Sequence, residues 1–229
     1  MKTGVLLSGC GVYDGTEIHE SVLALLALSQ NNIDYICTAP NVNQHHVINH
    51  INGEEMNEER NVLIESARIA RGDIISLSEL NKNTISSIVI AGGFGSAKNL
   101  SDWAFKGPNG TVLKEVKDLI LYCIENKKPV VSLCISPTLI AKSLERTSYK
   151  PQLTLGTTKE NSEYDISEIN DAITSLGSVA HNRSIKEIFV DEDLKIISAP
   201  CYMMDANVNE IYKNIKMSID KLSEMLKYN

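Results

Sequence analysis

Cys134 sits at a break in the run VVSLCISPTLIAK (130–142): an apolar tetrapeptide ends at the thiol, and helical periodicity begins just beyond it. A residue on a sharp strand-to-helix turn projects its side chain from the edge of a sheet, beside backbone N–H groups that no helix bond has used. A thiol there also feels the positive end of the helix, which lowers its pKa and favours the nucleophilic thiolate. The plain alternative, an inert buried cysteine, is the reading for Cys37, Cys123 and Cys201; position sets Cys134 apart. Pro137 suits a first helical turn, where no N–H partner is needed. The cluster Ala91-Gly92-Gly93-Phe94-Gly95 adds a second unusual junction. The N–H groups of Gly92 and Gly93, with that of Ile135, are candidate donors to an oxyanion on an attacked carbonyl, although a turn requiring positive φ explains the same glycines. Glu17 and Glu20, three residues apart, share one helix face that would look into the same cleft. Read plainly, both acids favour the positive end of the helix dipole.

Other constellations are weaker. Gly9-x-Gly11-x-x-x-Gly15 is one residue longer than the dinucleotide fingerprint, and the following strand ends in Thr38-Ala39-Pro40 where an acid belongs. Glu17 and Glu20 would repel a pyrophosphate there, so no cofactor is expected. His45, His46 and His50 would gather a metal only on a helix, and Asn49 with Asn52-Gly53 favours a strand and turn; no metal is expected. His181 reads as a loop residue. Ile135, not a histidine, follows Cys134, which disfavours an amidotransferase-type triad unless His19 or His181 reaches the thiol.

The elements that must position these groups alternate. Val5-Leu6-Leu7 is a short strand, followed by a helix over 17–30 and a buried strand over 33–39. An excursion with a strand at 47–51 and a turn at 52–53 precedes a helix over 58–71. A strand at 87–91 runs into the glycine cluster; a loop holding the only tryptophan, Trp103, leads to a helix over 111–126. The strand 130–133 and the helix after Cys134 follow. Then come a strand near Leu153, a helix over 166–176, a hairpin of strands at 187–190 and 195–198, and a closing helix over 207–227. This pattern predicts an α/β three-layer sandwich on a mostly parallel sheet, one domain spanning 1–229. Ligands bind at the carboxyl ends of such strands, so the junctions at 8–20, 91–95 and 134–137 should meet there.

A net charge of −7, with both signs mixed along the chain, argues against nucleic acid and anionic membranes as partners. Five widely spaced cysteines without a C-x-x-C fit a reducing compartment. The opening MKTGVLLSGCG is too short for a signal segment, and no other stretch approaches a membrane span, so a cytoplasmic setting is expected.

The junctions together resemble the superfamily of PfpI-type proteins and class I glutamine-amidotransferase domains. The resemblance is closer to one branch, the ElbB family, also called isoprenoid biosynthesis glyoxalase or enhancing lycopene biosynthesis protein. It rests on SGCGVYDGTEIHE (8–20), VINHINGEEMNEERNVLIESARIARG (47–72), GGFGSAKNLS (92–101), LCISP (133–137) and VDEDLKI (190–196). The resemblance implies a flavodoxin-like fold whose nucleophile elbow carries Cys134. It implies a glutamate from the first helix against the sulfur, Glu20 by helix alignment and Glu17 as second choice. Asn99, within 92–101, joins Gly92, Gly93 and Ile135 as a candidate oxyanion or substrate-binding residue.

The glyoxalase-type relatives imply cofactor-free conversion of methylglyoxal or glyoxal to the hydroxy acid. Thiolate Cys134 would add to the aldehyde, and a glutamate would move a proton between carbons through an enediol-like state. A carboxylate beside a thiolate costs Coulomb energy, so the glutamate is expected to be protonated when the thiolate forms. The expected partner is a small aldehyde, and a homodimer is possible. Two alternatives stand beside this: amide or ester hydrolysis at the same cysteine, and a non-enzymatic redox or metabolite sensor.

Overall fold

Strand residues in this chain divide by parity, and that division builds the molecule. Val5 and Leu7, Val89, Val131 and Leu133, Ile197 and Ala199 pack into one apolar cluster. Their neighbours Leu6, Ile88 and Ile90, Val130 and Ile196 pack into another. Strands that bury apolar residues at both parities are covered on both faces, which requires helices on each side of a sheet. The computed structural model, which describes residues 1–227, shows that arrangement.

The central sheet contains β1 (Lys2–Leu6), β2 (Tyr35–Ala39), β3 (Ile74–Ser76), β4 (Ile85–Ile90), β5 (Val130–Leu133), β8 (Phe189–Asp191) and β9 (Ile196–Ala199). Their order is β3-β2-β1-β4-β5-β9-β8, and all neighbours are parallel except β8 and β9. The fold is flavodoxin-like α/β. Helices α1 (Ile18–Gln30), α2 (Val62–Ile69) and α8 (Val208–Lys227) cover one face. Helices α5 (Lys114–Glu125), α6 (Pro137–Leu144) and α7 (Ile166–Ser175) contribute to the other cluster.

Several features depart from the sequence expectation. Residues 151–182 add a separate pair, β6 (Gln152–Gly156) and β7 (Val179–Asn182), parallel to each other and outside the main sheet. His181 belongs to β7 and is no loop residue: its ring stacks on Phe189 at 3.8 Å between centroids, and its Nε2 lies 2.9 Å from Gln152 Oε1. The short β3 has no clear period in the sequence. Two brief helices, α3 (Phe94–Lys98) and α4 (Trp103–Lys106), occupy what read as loop. The 41–57 excursion holds only isolated bridges, Asn43 with Asn61 and Ile48 with Glu55. No helix among the described residues is long and apolar enough to cross a membrane.

Candidate active site

β5 ends at Leu133 and α6 begins at Pro137, leaving Cys134 to turn the corner with φ +59°. A side chain in the left-handed region is strained, so the surroundings must hold it there. The Cys134 N–H donates to Ala199 O at 2.9 Å, and Ser136 N–H donates to Leu133 O at 3.0 Å. Beneath the turn, Ser136 Oγ donates to Ile90 O at 3.0 Å and lies 2.8 Å from Ser132 Oγ. Three strands, β4, β5 and β9, thus fix one residue's backbone. The two serines went unnoticed in the sequence; their spacing of four across a strand end was the available signal.

The sulfur is nearly enclosed, with Cys134 6% exposed. The amides of Gly93 and Ile135 favour charge on it, and the Glu20 carboxyl lies on its other side, both groups meeting at Gly92. Gly92, the third expected oxyanion donor, does something else: its N–H donates to Glu20 Oε2 at 3.0 Å. The other carboxyl oxygen, Oε1, accepts from Tyr202 N–H at 3.2 Å. Glu20 is therefore clamped by two amides from opposite sides of the site, with its remaining contact on the thiol.

Gly92 permits this approach, because a Cβ there would overlap Cys134 Cβ and Glu20 Oε2. Gly93, at φ +92°, lies against Glu17 N and Gly15 O, where a side chain would likewise overlap backbone. Glu17 is the N-cap of α1: its Oε2 accepts from Glu20 N–H at 2.6 Å. It lines the cavity and does not hold the sulfur.

Electrostatics correct one expectation. The thiol is not depressed by the helix end; burial first, and then the nearby Glu20 carboxylate, push it well above its ordinary value. The Gly93 and Ile135 amides pull the other way and are outweighed. Desolvation and a like charge both penalise the thiolate. The Glu20 carboxyl is itself raised, to about 8, by burial and then by Glu17. At neutral pH both groups favour their protonated forms, and only the ionised fraction of Glu20 can take a proton from the sulfur.

Asn99 does not line this site. Its Nδ2 donates to Ser8 O at 2.9 Å and Asp14 O at 2.8 Å, while its Oδ1 accepts from His45 N–H at 2.9 Å. With every amide group engaged, it fastens the β1–α1 loop to the 41–57 excursion. Two of the three excursion histidines are likewise engaged. His50 Nε2 accepts from Tyr13 N–H at 3.2 Å, and His45 packs on Phe105 at 4.2 Å between centroids. Among the described residues no group of histidine, cysteine and acid side chains is arranged to hold a metal.

A cavity of about 350 Å³ opens beside the sulfur, between the glycine loop, residues 103–108 and α7. Tyr164 and Tyr202 line it, and neither was singled out in the sequence. Tyr202 follows Cys201, another buried residue at positive φ, and its hydroxyl lies 2.8 Å from His19 Nδ1. A buried thiol, a buried carboxyl and two amides aimed at one point can add to a carbonyl and move a proton without a histidine.

No family model matches the chain. Among curated proteins it is similar to the mitochondrial ES1 protein homolog of Rattus norvegicus, 37% identical over 226 residues, covering 98% of this chain and 84% of that one. The mitochondrial glutamine amidotransferase-like class 1 domain-containing protein 3 of Homo sapiens is also 37% identical, with 98% and 83% covered. The mitochondrial ES1 protein of Danio rerio is 29% identical, with 91% and 79% covered. These relatives overturn the cytoplasmic expectation, since all three are mitochondrial. Cysteine spacing bears on redox environment and not on which compartment supplies it. Among solved structures, an isoprenoid biosynthesis protein with an amidotransferase-like domain from Ehrlichia chaffeensis superposes with a TM-score of 0.88 at 32% identity, covering 98% of this chain and all of that one. Drosophila melanogaster DJ-1beta shares the fold alone, at a TM-score of 0.55 and 13% identity.

Proposed function

We propose, for a chain that belongs to the ES1/ElbB branch of the class I glutamine-amidotransferase-like superfamily, that Cys134 and Glu20 convert 2-oxoaldehydes to 2-hydroxy acids without a cofactor. The observation that carries this reading is the Glu20 carboxyl and the Cys134 sulfur meeting at Gly92, behind a cavity that no histidine among the described residues lines. Hydrolysis of an amide needs a group to protonate the leaving nitrogen, usually an imidazole. An oxoaldehyde needs a different device, one proton carrier poised over two adjacent carbons.

In molecules whose Glu20 is ionised, the Cys134 proton passes to that carboxylate as the sulfur adds to the aldehyde carbon, and the carbonyl oxygen becomes the hemithioacetal oxygen beside the Gly93 and Ile135 amides. The Glu20 carboxylate, after releasing its proton to that oxygen, removes the hydrogen from the same carbon. The electron pair forms an enediol. Reprotonation at the adjacent carbon makes a secondary alcohol, and the sulfur-bearing carbon becomes a thioester carbonyl. Water cleaves the thioester and restores the thiol. The net change adds one water to the oxoaldehyde; nothing is oxidised or reduced overall.

Two variants test this together, with lactate formed from methylglyoxal as the assay. Cys134→Ser is expected to lower turnover by about a thousandfold or more, and Glu20→Gln by ~10²–10⁴, the range for a lost proton carrier. In Glu20→Gln the thiolate absorbance edge moves to lower pH, because the neutral amide no longer repels the sulfur's charge. Lactate formation that survives Cys134→Ser, or an unmoved edge in Glu20→Gln, would rule out the pair.

A further inference from the structure

The cavity beside Cys134 is far larger than methylglyoxal requires. At about 350 Å³ it lies within the ~300–1,000 Å³ of clefts that enclose drug-sized ligands. Its walls are apolar: Phe94, Trp103, Phe105, Ile169 and Met203 surround the space that leads away from the sulfur. Among the described residues the only charged side chains lining it are acidic, Glu17 near the thiol and Glu168 on the exposed side of α7. Cations on bordering elements are turned to other partners. Lys98 Nζ donates to Tyr13 O and lies over the Phe94 ring, Lys106 pairs with Asp102, and Lys142 is held by Pro108 O and Glu145. A phosphorylated or carboxylated substrate would find no counter-charge here, and Glu17 and Glu168 would repel it.

From this we infer that the site takes an uncharged aldehyde bearing an extended apolar substituent, its carbonyl at Cys134 and its tail along Trp103 and Phe105. The inference rests on the reading of the Cys134–Glu20 pair as an oxoaldehyde site and specifies the substrate class for it. It excludes both a three-carbon substrate as the best one and a prenyl diphosphate as a ligand of this cavity.

Trp103 is the only tryptophan, so its fluorescence reports occupancy independently of turnover. The probes are straight-chain primary alcohols, which cannot add to the thiol, matched alkanoates, and alkylglyoxals of the same chain lengths. In Cys134→Ser, alcohol affinity is expected to rise with each methylene by up to about fourfold, the equivalent of ~0.8 kcal/mol per buried CH₂. Alkanoates of equal length bind at least about tenfold more weakly. In the wild type, kcat/KM for alkylglyoxals follows the same chain-length trend. Ala172→Phe and Ala104→Leu, which narrow the cavity from two sides, flatten that trend. Alcohol binding indifferent to chain length, or alkanoates binding as well as alcohols, would overturn the apolar-tail site. A full chain-length trend in alcohol binding with no turnover of any oxoaldehyde would uphold that site and defeat only the glyoxalase reading.

Discussion

At the scale of single residues, Glu20 combines two properties that rarely coexist, full burial and ionisability. Its carboxyl is raised from 4.5 to about 8, so the folded state keeps a proton that the unfolded chain releases. The sign follows from proton linkage: wherever the native state binds more protons than the unfolded one, stability falls as pH rises. Between about pH 4.5 and 8 Glu20 costs the fold increasing free energy, of the order of a few kcal/mol by the top of that window. Glu20→Gln removes this slope. Denaturant midpoints measured across the window should show the variant gaining on the wild type steadily and levelling off above pH 8; parallel curves would mean that Glu20 is not buried as a protonated acid. How much of this pair was legible in sequence is instructive. Cys134 stood out because a strand pattern stopped and a helix pattern began at one residue. Glu20 and Glu17 could not be ranked by periodicity, since both occupy the first turn of one helix. What separates them is that Glu17 lies at the cap and turns back onto Glu20 N–H, whereas Glu20, three residues on, faces the sulfur. The direction of the thiol's shift was hidden too, because a helix end is visible in sequence and enclosure is not.

At the scale of elements, the site is three strand-to-helix junctions pressed together, and Gly92 is where they touch. Replacing it with alanine puts a methyl into the space of Cys134 Cβ and Glu20 Oε2. Neither can withdraw, since the cysteine backbone is bonded to β9 and the carboxyl to two amides. Gly92→Ala is expected to cost about 1–3 kcal/mol of stability as an overpacked core does, and to abolish turnover even where the protein still folds. Thermal unfolding and lactate formation measured on the same sample separate the two effects; a fully active variant would mean that the glutamate and cysteine do not need this spacing. The glycine cluster was conspicuous in sequence, yet its division of labour was not. Gly92 serves the carboxyl and Gly93 the sulfur, because one residue's rotation sends successive N–H groups in different directions. The short helices α3 and α4 and the strand β3 were illegible for a related reason. Segments of three to five residues are too short for a hydrophobic period to repeat, and their conformation is set by what they pack against.

Across the whole molecule, distant segments converge on the β1–α1 loop, and Asn99 is the residue that ties them. Its side chain holds two carbonyls of that loop and one amide of the 41–57 excursion. Asn99→Ala leaves those groups unpaired and is expected to destabilise by about 1–3 kcal/mol. Hydrogen exchange should quicken at 9–15 and 43–50, with the Cys134 absorbance edge unmoved; a shifted edge would return Asn99 to the site. The alternating core, the strand order's parallel centre and the closing helix were readable because they repeat over many residues. The separate β6–β7 pair was not, since its strands carry the same alternation whichever sheet they join. The clamp on Glu20 has one further consequence, for the time course of folding. Its amides come from residues 72 and 182 positions away in the chain, and the turn at Cys134 is anchored to β9. Contacts of such sequence separation close late, after loop entropy has been overcome. The shielding of Cys134 is thus completed no earlier than the docking of β9. A pulse of alkylating reagent during refolding reads that docking directly, as the moment when the thiol stops reacting.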